Sequence, residues 1–322
     1  MIDQIAATLR SMFTGPNGLA LALLWGTVLL AAVVTYFRSS KDLRQHLLPS
    51  QIFKHPSARA DFWFWIARRV TKPLYVWAAL SAVGTGTLMH AALVHVFPAQ
   101  EHAPGPAGPL TLLVFTFTMF LAYDLSYYIY HYLQHKVPLM WELHKVHHSA
   151  EVMVGVTQGR VHPLDDFMTH LWDGLLPGLV YGIWLFFALD PVEVTVFGIN
   201  VYVLRNILMM DFVRHTHFKL SFGKWLNMIV LPPHWHQLHH STDPRHWDKN
   251  FGLMLSVWDW LFGTLVIPEP NEDFHFGLAN GEHVEYRSVT RLYLVPLSKI
   301  CNILFPIIRP KATPSDAHPS NT

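Results

Sequence analysis

Five histidines fall within eighteen residues, His131 to His148, in the run HYLQHKVPLMWELHKVHH. His131 and His135 are four apart, and His144, His147 and His148 follow at intervals of three and one. Positions three and four apart share one face of a helix, so each cluster can aim its imidazoles at a common point. The pattern HxxHH returns as His236, His239 and His240. Imidazole is a ligand for zinc, copper, iron and nickel. Eight such side chains are more than one tetrahedral zinc needs, which points to a two-metal site built from segments far apart in the chain. A single histidine on an apolar face is ordinarily a hydrogen-bonded core or surface residue, and one pair four apart would mean little. Two copies of HxxHH behind an HxxxH, in a chain with 22 histidines among 322 residues, are another matter.

The segments that must position these residues are apolar. Hydrophobic residues make up 51% of the chain and charged residues 14%, against about 25% charged in a soluble domain. The mean hydropathy is +0.24. The expected fold is therefore all-α: an integral membrane helical protein with about four to five membrane-embedded helices and a cytosolic, histidine-rich cap. Residues 19–37, roughly 73–97 and 110–132 read as spans of a bilayer core about 30 Å thick. Phe167 to Val213, interrupted by Asp190-Pro191, reads as a hairpin or re-entrant pair. Arg38, Lys41, Arg44, Lys54, Arg59, Arg68, Arg69 and Lys72, with an aromatic belt at 62–65, place the segment after the first span in the cytoplasm, and the Pro/Gly-rich 98–109 loop opposite. That topology brings His131–His148, His215 and His236–His240 to one side. His90 and His95 fall near the other interface and are not expected to be ligands. Leu253 to Ile267 reads as an interfacial helix. The Pro- and Ser-rich tail from Lys311 reads as disordered.

Three segments result: membrane helices with a basic interfacial stretch over 1–110, a catalytic segment over 111–270, and a C-terminal segment over 271–322. A net charge of +1 gives no case for nucleic-acid binding. The lone cysteine, Cys301, excludes an internal disulfide and a cysteine-built metal site. No cleaved signal peptide is expected. Asp124, a carboxylate within a span, is a functional candidate.

The order HxxxH, HxxHH, solitary His, HxxHH resembles the fatty acid hydroxylase superfamily, also called the sterol desaturase family, from roughly Phe115 to Pro268. Arg160–Asp165 (RVHPLD) and the run HHSTDPRHWDKNFGLMLSVWDWLFGTL from His239 carry the same resemblance. It implies a membrane oxygenase with two iron ions on the cytosolic face, for which zinc can substitute, held by His131, His135, His144, His147, His148, His215, His236, His239 and His240. His217, where the family commonly has Asn, is an added candidate ligand. His234 is likewise extra and is assigned a surface or orienting role. Asp124, His162 and Asn250 are candidates for orienting metal-bound imidazoles.

The implied reaction is O2-dependent hydroxylation of a membrane lipid, with desaturation or demethylation as the variant. No heme, flavin or nicotinamide fingerprint occurs, so electrons must come from a separate ferredoxin, cytochrome or reductase. A zinc hydrolase lacks its HExxH here. A metal transporter would carry its ligands near mid-membrane, and a histidine pH sensor does not call for a duplicated HxxHH. The particular lipid and the oligomeric state are left open by the sequence.

Overall fold

The computed structural model describes residues 15–39, 41–71, 76–98, 108–187, 195–196, 199–200, 211–269 and 272–306. The Asp190-Pro191 turn, nearly all of the 98–109 loop and the tail from Lys311 lie outside them. Helices dominate: α1 Gly15–Tyr36, α2 Pro56–Ala67, α3 Val76–Val96, α4 Pro109–Lys136, α5 Pro138–His148, α6 Pro163–Asp173, α7 Leu175–Phe186, α8 Asp211–Arg214, α9 Pro233–His239, α10 Val257–Leu261 and α11 Val289–Leu304.

Among the described residues one helix, α4, is long and apolar enough to cross a membrane. Its 28 residues make it about 42 Å long. That length exceeds a bilayer core of about 30 Å. The apolar run from Phe167 forms two helices of 11 and 12 residues meeting at Gly174, each too short to span alone. Further on, Thr195–Val196 pairs antiparallel with Ile199–Asn200, one short ladder in a mostly helical fold that agrees with the all-α expectation. Thr, Val and Ile at three of those four positions suit extended backbone. The stretch expected as an interfacial helix is helical only over α10.

Helix α7 lies closely against α3 through small residues. Gly174, Gly178 and Gly182, four apart, share one face. A Cβ at Gly174 would lie 1.8 Å from Ser81 Oγ, at Gly178 2.8 Å from the Ala82 carbonyl oxygen, and at Gly182 2.4 Å from the Gly86 carbonyl oxygen. Such close backbone approach is how apolar helices associate where lipid removes the hydrophobic drive. Ser81 Oγ also donates to the Leu171 carbonyl (3.0 Å).

The chain reverses between α4 and α5 at Val137-Pro138. Val137 is extended (φ −93°, ψ 116°), as a residue before proline tends to be, and Pro138 opens α5 where its missing N–H costs nothing. Helix α5 packs on α2 and α11 through Phe64, Val146, Tyr286 and Leu292, all fully buried. Beneath them lies Arg160, itself buried. Its guanidinium donates to Asp61 (2.5 Å), to the Val146 carbonyl (3.0 Å), to Ser149 Oγ and to the Tyr286 carbonyl (3.1 Å). One cation thus ties α2, the end of α5 and the approach to α11.

Both members of the Arg160–Asp61 pair are wholly inaccessible. Asp61→Ala is expected to leave an uncompensated buried cation and to cost about 3–5 kcal/mol. Thermal unfolding in detergent should register a large drop, while a surface change such as Arg291→Ala should not move it.

Candidate metal centre

Helices α4 and α5, brought back to back by the Val137-Pro138 reversal, set His131 and His135 against His144 and His148. Ring centroids of His135 and His148 lie 4.8 Å apart, and those of His131 and His144 5.1 Å apart. Helix α9 arrives from the far end of the sequence. Its Gln237 side chain donates to the carbonyls of Thr216 (2.8 Å) and Phe218 (3.0 Å), which fastens it beside His215.

The rings assemble into two groups, each with ligand atoms within 4.8 Å of one another: His131, His135, His144, His148 and His239 in one, His147, His215, His236 and His240 in the other. The groups adjoin, because His148 stacks on His240 at 4.4 Å. All nine side chains are removed from solvent, His135 least completely.

The outer nitrogens decide which atom of each ring is free to bind. His131 Nδ1–H donates to the Phe251 carbonyl (2.8 Å) and His239 Nδ1–H to the Lys249 carbonyl (2.6 Å). A carbonyl only accepts, so the proton must sit on Nδ1 and the Nε2 lone pair is left bare. His144 Nδ1 faces Asp165 (3.2 Å) and His135 Nδ1 faces Asp248 (3.4 Å), which fixes the same tautomer. Nε2 of all five rings in this group is buried without a hydrogen-bond partner. In the second group Nε2 atoms converge instead: His147 to His215 at 3.2 Å, His215 to His236 at 3.2 Å, His236 to His240 at 3.3 Å. Nitrogens about 2.0–2.1 Å from a tetrahedral ion sit about 3.3 Å from one another. The donor sets therefore fit two metal ions, and bare lone pairs aimed at a shared point are what an ion would satisfy.

Burial holds His147, His148, His236 and His240 well below the ordinary imidazole value, and neighbouring rings push the same way. Burial takes His239 to about 3, against a weaker opposing pull from the Lys249 carbonyl. The rings are thus kept neutral, the form in which imidazole binds a metal.

The remaining sequence candidates fall elsewhere. His217 belongs to neither group: its Nε2–H is committed to the His46 carbonyl (2.8 Å), on the N-terminal segment. His234 stacks on Phe274 at 5.6 Å, outside both groups. Asp124 accepts from the backbone of Met254 (3.0 Å) and Leu255 (3.1 Å) and from Trp258 Nε1 (2.8 Å). It pins the turn that presents the Phe251 carbonyl, so it serves His131 at one remove. Asn250, in the left-handed region (φ 55°), clips Trp235 and Val266 together through backbone bonds of 2.8–3.0 Å. His162 caps α6, accepting from the Leu164 N–H (3.2 Å) while its Nε2–H donates to the Tyr293 carbonyl (3.1 Å).

Two further carboxylates matter. Asp165 accepts from Gln134 (2.6 Å) as well as facing His144. Asp259 accepts from the N–H groups of Phe251 and Gly252, each at 2.8 Å, and from Thr264 Oγ1 at 2.6 Å. Asp165 had a signal, the RVHPLD run; Asp259 had only its place in an apolar stretch.

A helical scaffold carrying two adjacent all-histidine donor sets defines a class: a helical protein with a histidine cluster that could hold metal. The fatty acid hydroxylase family model matches residues 116–264, which contain all nine rings. Those residues resemble a fatty acid hydroxylase domain, and the match covers a little under half of the chain. The chain is similar to human alkylglycerol monooxygenase, 28% identical over 51% of this chain and 33% of that protein. It is also similar to the ornithine lipid hydroxylase of Rhizobium tropici, 26% identical over 45% of this chain and 40% of the other. Human cholesterol 25-hydroxylase is 26% identical over 56% of this chain and 65% of its own length. The match thus spans about a third of the alkylglycerol monooxygenase. No solved structure gives a significant match.

Two outcomes are expected. Asp165→Ala frees the outer nitrogen of His144 and should weaken metal retention about 10–100-fold, read by chelator competition. In the metal-free protein His147 and His239 hold folded-state pKa values below the unfolded 6.5, so the unfolded chain takes up protons first. Stability should be full above about pH 6.5 and fall steadily as pH drops toward about 3, seen as a declining thermal midpoint.

Proposed function

We propose that the chain is a membrane-bound, non-heme di-iron oxygenase that hydroxylates a lipid C–H bond, with its metal centre at the cytoplasmic face of a multi-pass helical fold. The observation that carries this reading is the pair of adjoining imidazole sets with bare, buried lone pairs. One ion is assigned to His131, His135, His144, His148 and His239, the other to His147, His215, His236 and His240. When bound, two irons supply reduction of O2 and insertion of one of its oxygen atoms into the C–H bond, the other leaving as water with two electrons and two protons taken up.

The chain's own residues do the rest. The Phe251 and Lys249 carbonyls and Asp165 hold ring protons on the far nitrogens. Asp124 and Asp259 hold the turn that offers the Phe251 carbonyl. Neutral imidazoles leave the ions' charge uncancelled, unlike the carboxylate-rich sites of soluble di-iron bundles. An apolar groove of ≈ 710 Å³ runs beside α4, bounded by Leu121, Leu125, Ile183, Trp184, Phe187 and Trp258, and suits the hydrocarbon part of a lipid. The similar proteins are named for alkylglycerol, ornithine lipid and cholesterol, all lipids, which supports a lipid without choosing one. Electrons are assigned to a separate ferredoxin, cytochrome or reductase, since the sequence holds no site for a redox cofactor of its own.

The test is metal analysis joined to oxygen uptake and lipid mass spectrometry on membranes with and without the protein. Two irons per chain, lipid-dependent uptake and a lipid gaining one oxygen are expected. His147→Ala and His239→Ala should each abolish turnover while membrane insertion persists. Stoichiometric zinc with no oxygen uptake would overturn the oxygenase reading.

A further inference from the structure

A second cavity, of ≈ 310 Å³, is distinct from the apolar groove and touches the metal centre directly. His135, His148 and His239 line it, all members of the five-ring group. Trp141, Trp247, Leu278 and Ala279 form its apolar wall, and Lys145, Asp248 and Glu282 its polar one. Trp141 also packs on the ligand rings, 4.8 Å from His135 and 5.4 Å from His148.

The polar wall is already paired. Lys145 Nζ donates to Glu142 (2.7 Å) and Glu282 (3.0 Å), and Asp248 accepts from Lys136 (2.5 Å). No charged arm among these is left to grip a phosphate or carboxylate. The volume equals about ten water molecules, too little for a whole lipid. It suits a small ligand that binds a metal, together with an uncharged segment of a substrate.

Part of this wall lies outside the matched segment 116–264. Leu278, Ala279 and Glu282 come from the strand of chain that returns over the site before α11. That return is held by an isolated bridge between Ser241 and Phe276 and by the Lys145–Glu282 contact. The ligand set thus lies wholly within the matched segment, while one side of the chamber over it comes from beyond that segment.

We infer that this cavity is the chamber through which exogenous small ligands and the uncharged reacting segment of the substrate reach the five-histidine ion, and that Trp141 and Ala279 set what it admits. The inference rests on the metal reading above, and its test separates the two. The full chain in detergent, freed of metal and loaded with cobalt(II), is titrated with azide and followed by visible absorption. Ala279→Cys in a Cys301→Ser chain is compared before and after reaction with a bulky thiol reagent, which fills the chamber after folding and metal loading.

Unreacted protein should bind azide as the parent does. Reacted protein should keep its cobalt and lose azide affinity by about tenfold or more. Trp141→Ala should admit larger anions, such as phenylthiolate, that the parent excludes. Full cobalt with an azide response indifferent to the plug would overturn the chamber assignment alone. A parent chain that takes up no cobalt would overturn the metal reading, and this assignment with it.

Discussion

The metal centre depends on keeping crowded imidazoles neutral and correctly protonated without water. A buried ring must leave one nitrogen bare and give the other's proton to an acceptor. The backbone carbonyls of Phe251 and Lys249 and the carboxylate of Asp165 meet that need for His131, His239 and His144. Each acceptor comes from a segment other than the ring's own helix turn. Around the five-ring group the fold is therefore largely a device for delivering acceptors to the backs of the rings.

That demand explains why buried carboxylates gather where no ligand is. Asp124 and Asp259 together accept from four backbone N–H groups between Phe251 and Leu255, and Trp258 adds a fifth donor. They bend a short irregular stretch so that one carbonyl faces His131. Asn250 and Asp248, both with positive φ, make the bend. Gly252 is needed there because a Cβ would lie 2.7 Å from the Leu255 carbonyl oxygen.

The ligand rings were legible in the sequence because their spacing is local: three- and four-residue intervals on a helix survive any tertiary arrangement. The acceptors behind them were not. Phe251 and Lys249 contribute backbone atoms, which no residue type betrays, and Asp124 and Asn250 act on backbone rather than on rings. His217 shows the limit from the other side. Residue type and proximity to His215 suggested a ligand, but the direction of a side chain beyond a turn is set by tertiary contacts, here the His46 carbonyl. The helical class was legible in the long apolar runs. The break at Gly174 was not, because hydropathy averages over the glycines at 174, 178 and 182 and hides the face they make.

Arg160 sits inside the segment that the fatty acid hydroxylase model matches, yet the carboxylate that neutralises it lies 99 residues upstream, on a helix outside that segment. A further acceptor, the Tyr286 carbonyl, lies downstream of it. The matched segment is thus not a portable module. Grafted into another chain, it would need a host that supplies an anion at the same depth. The flank of this chain is bound at Asp61 by electroneutrality.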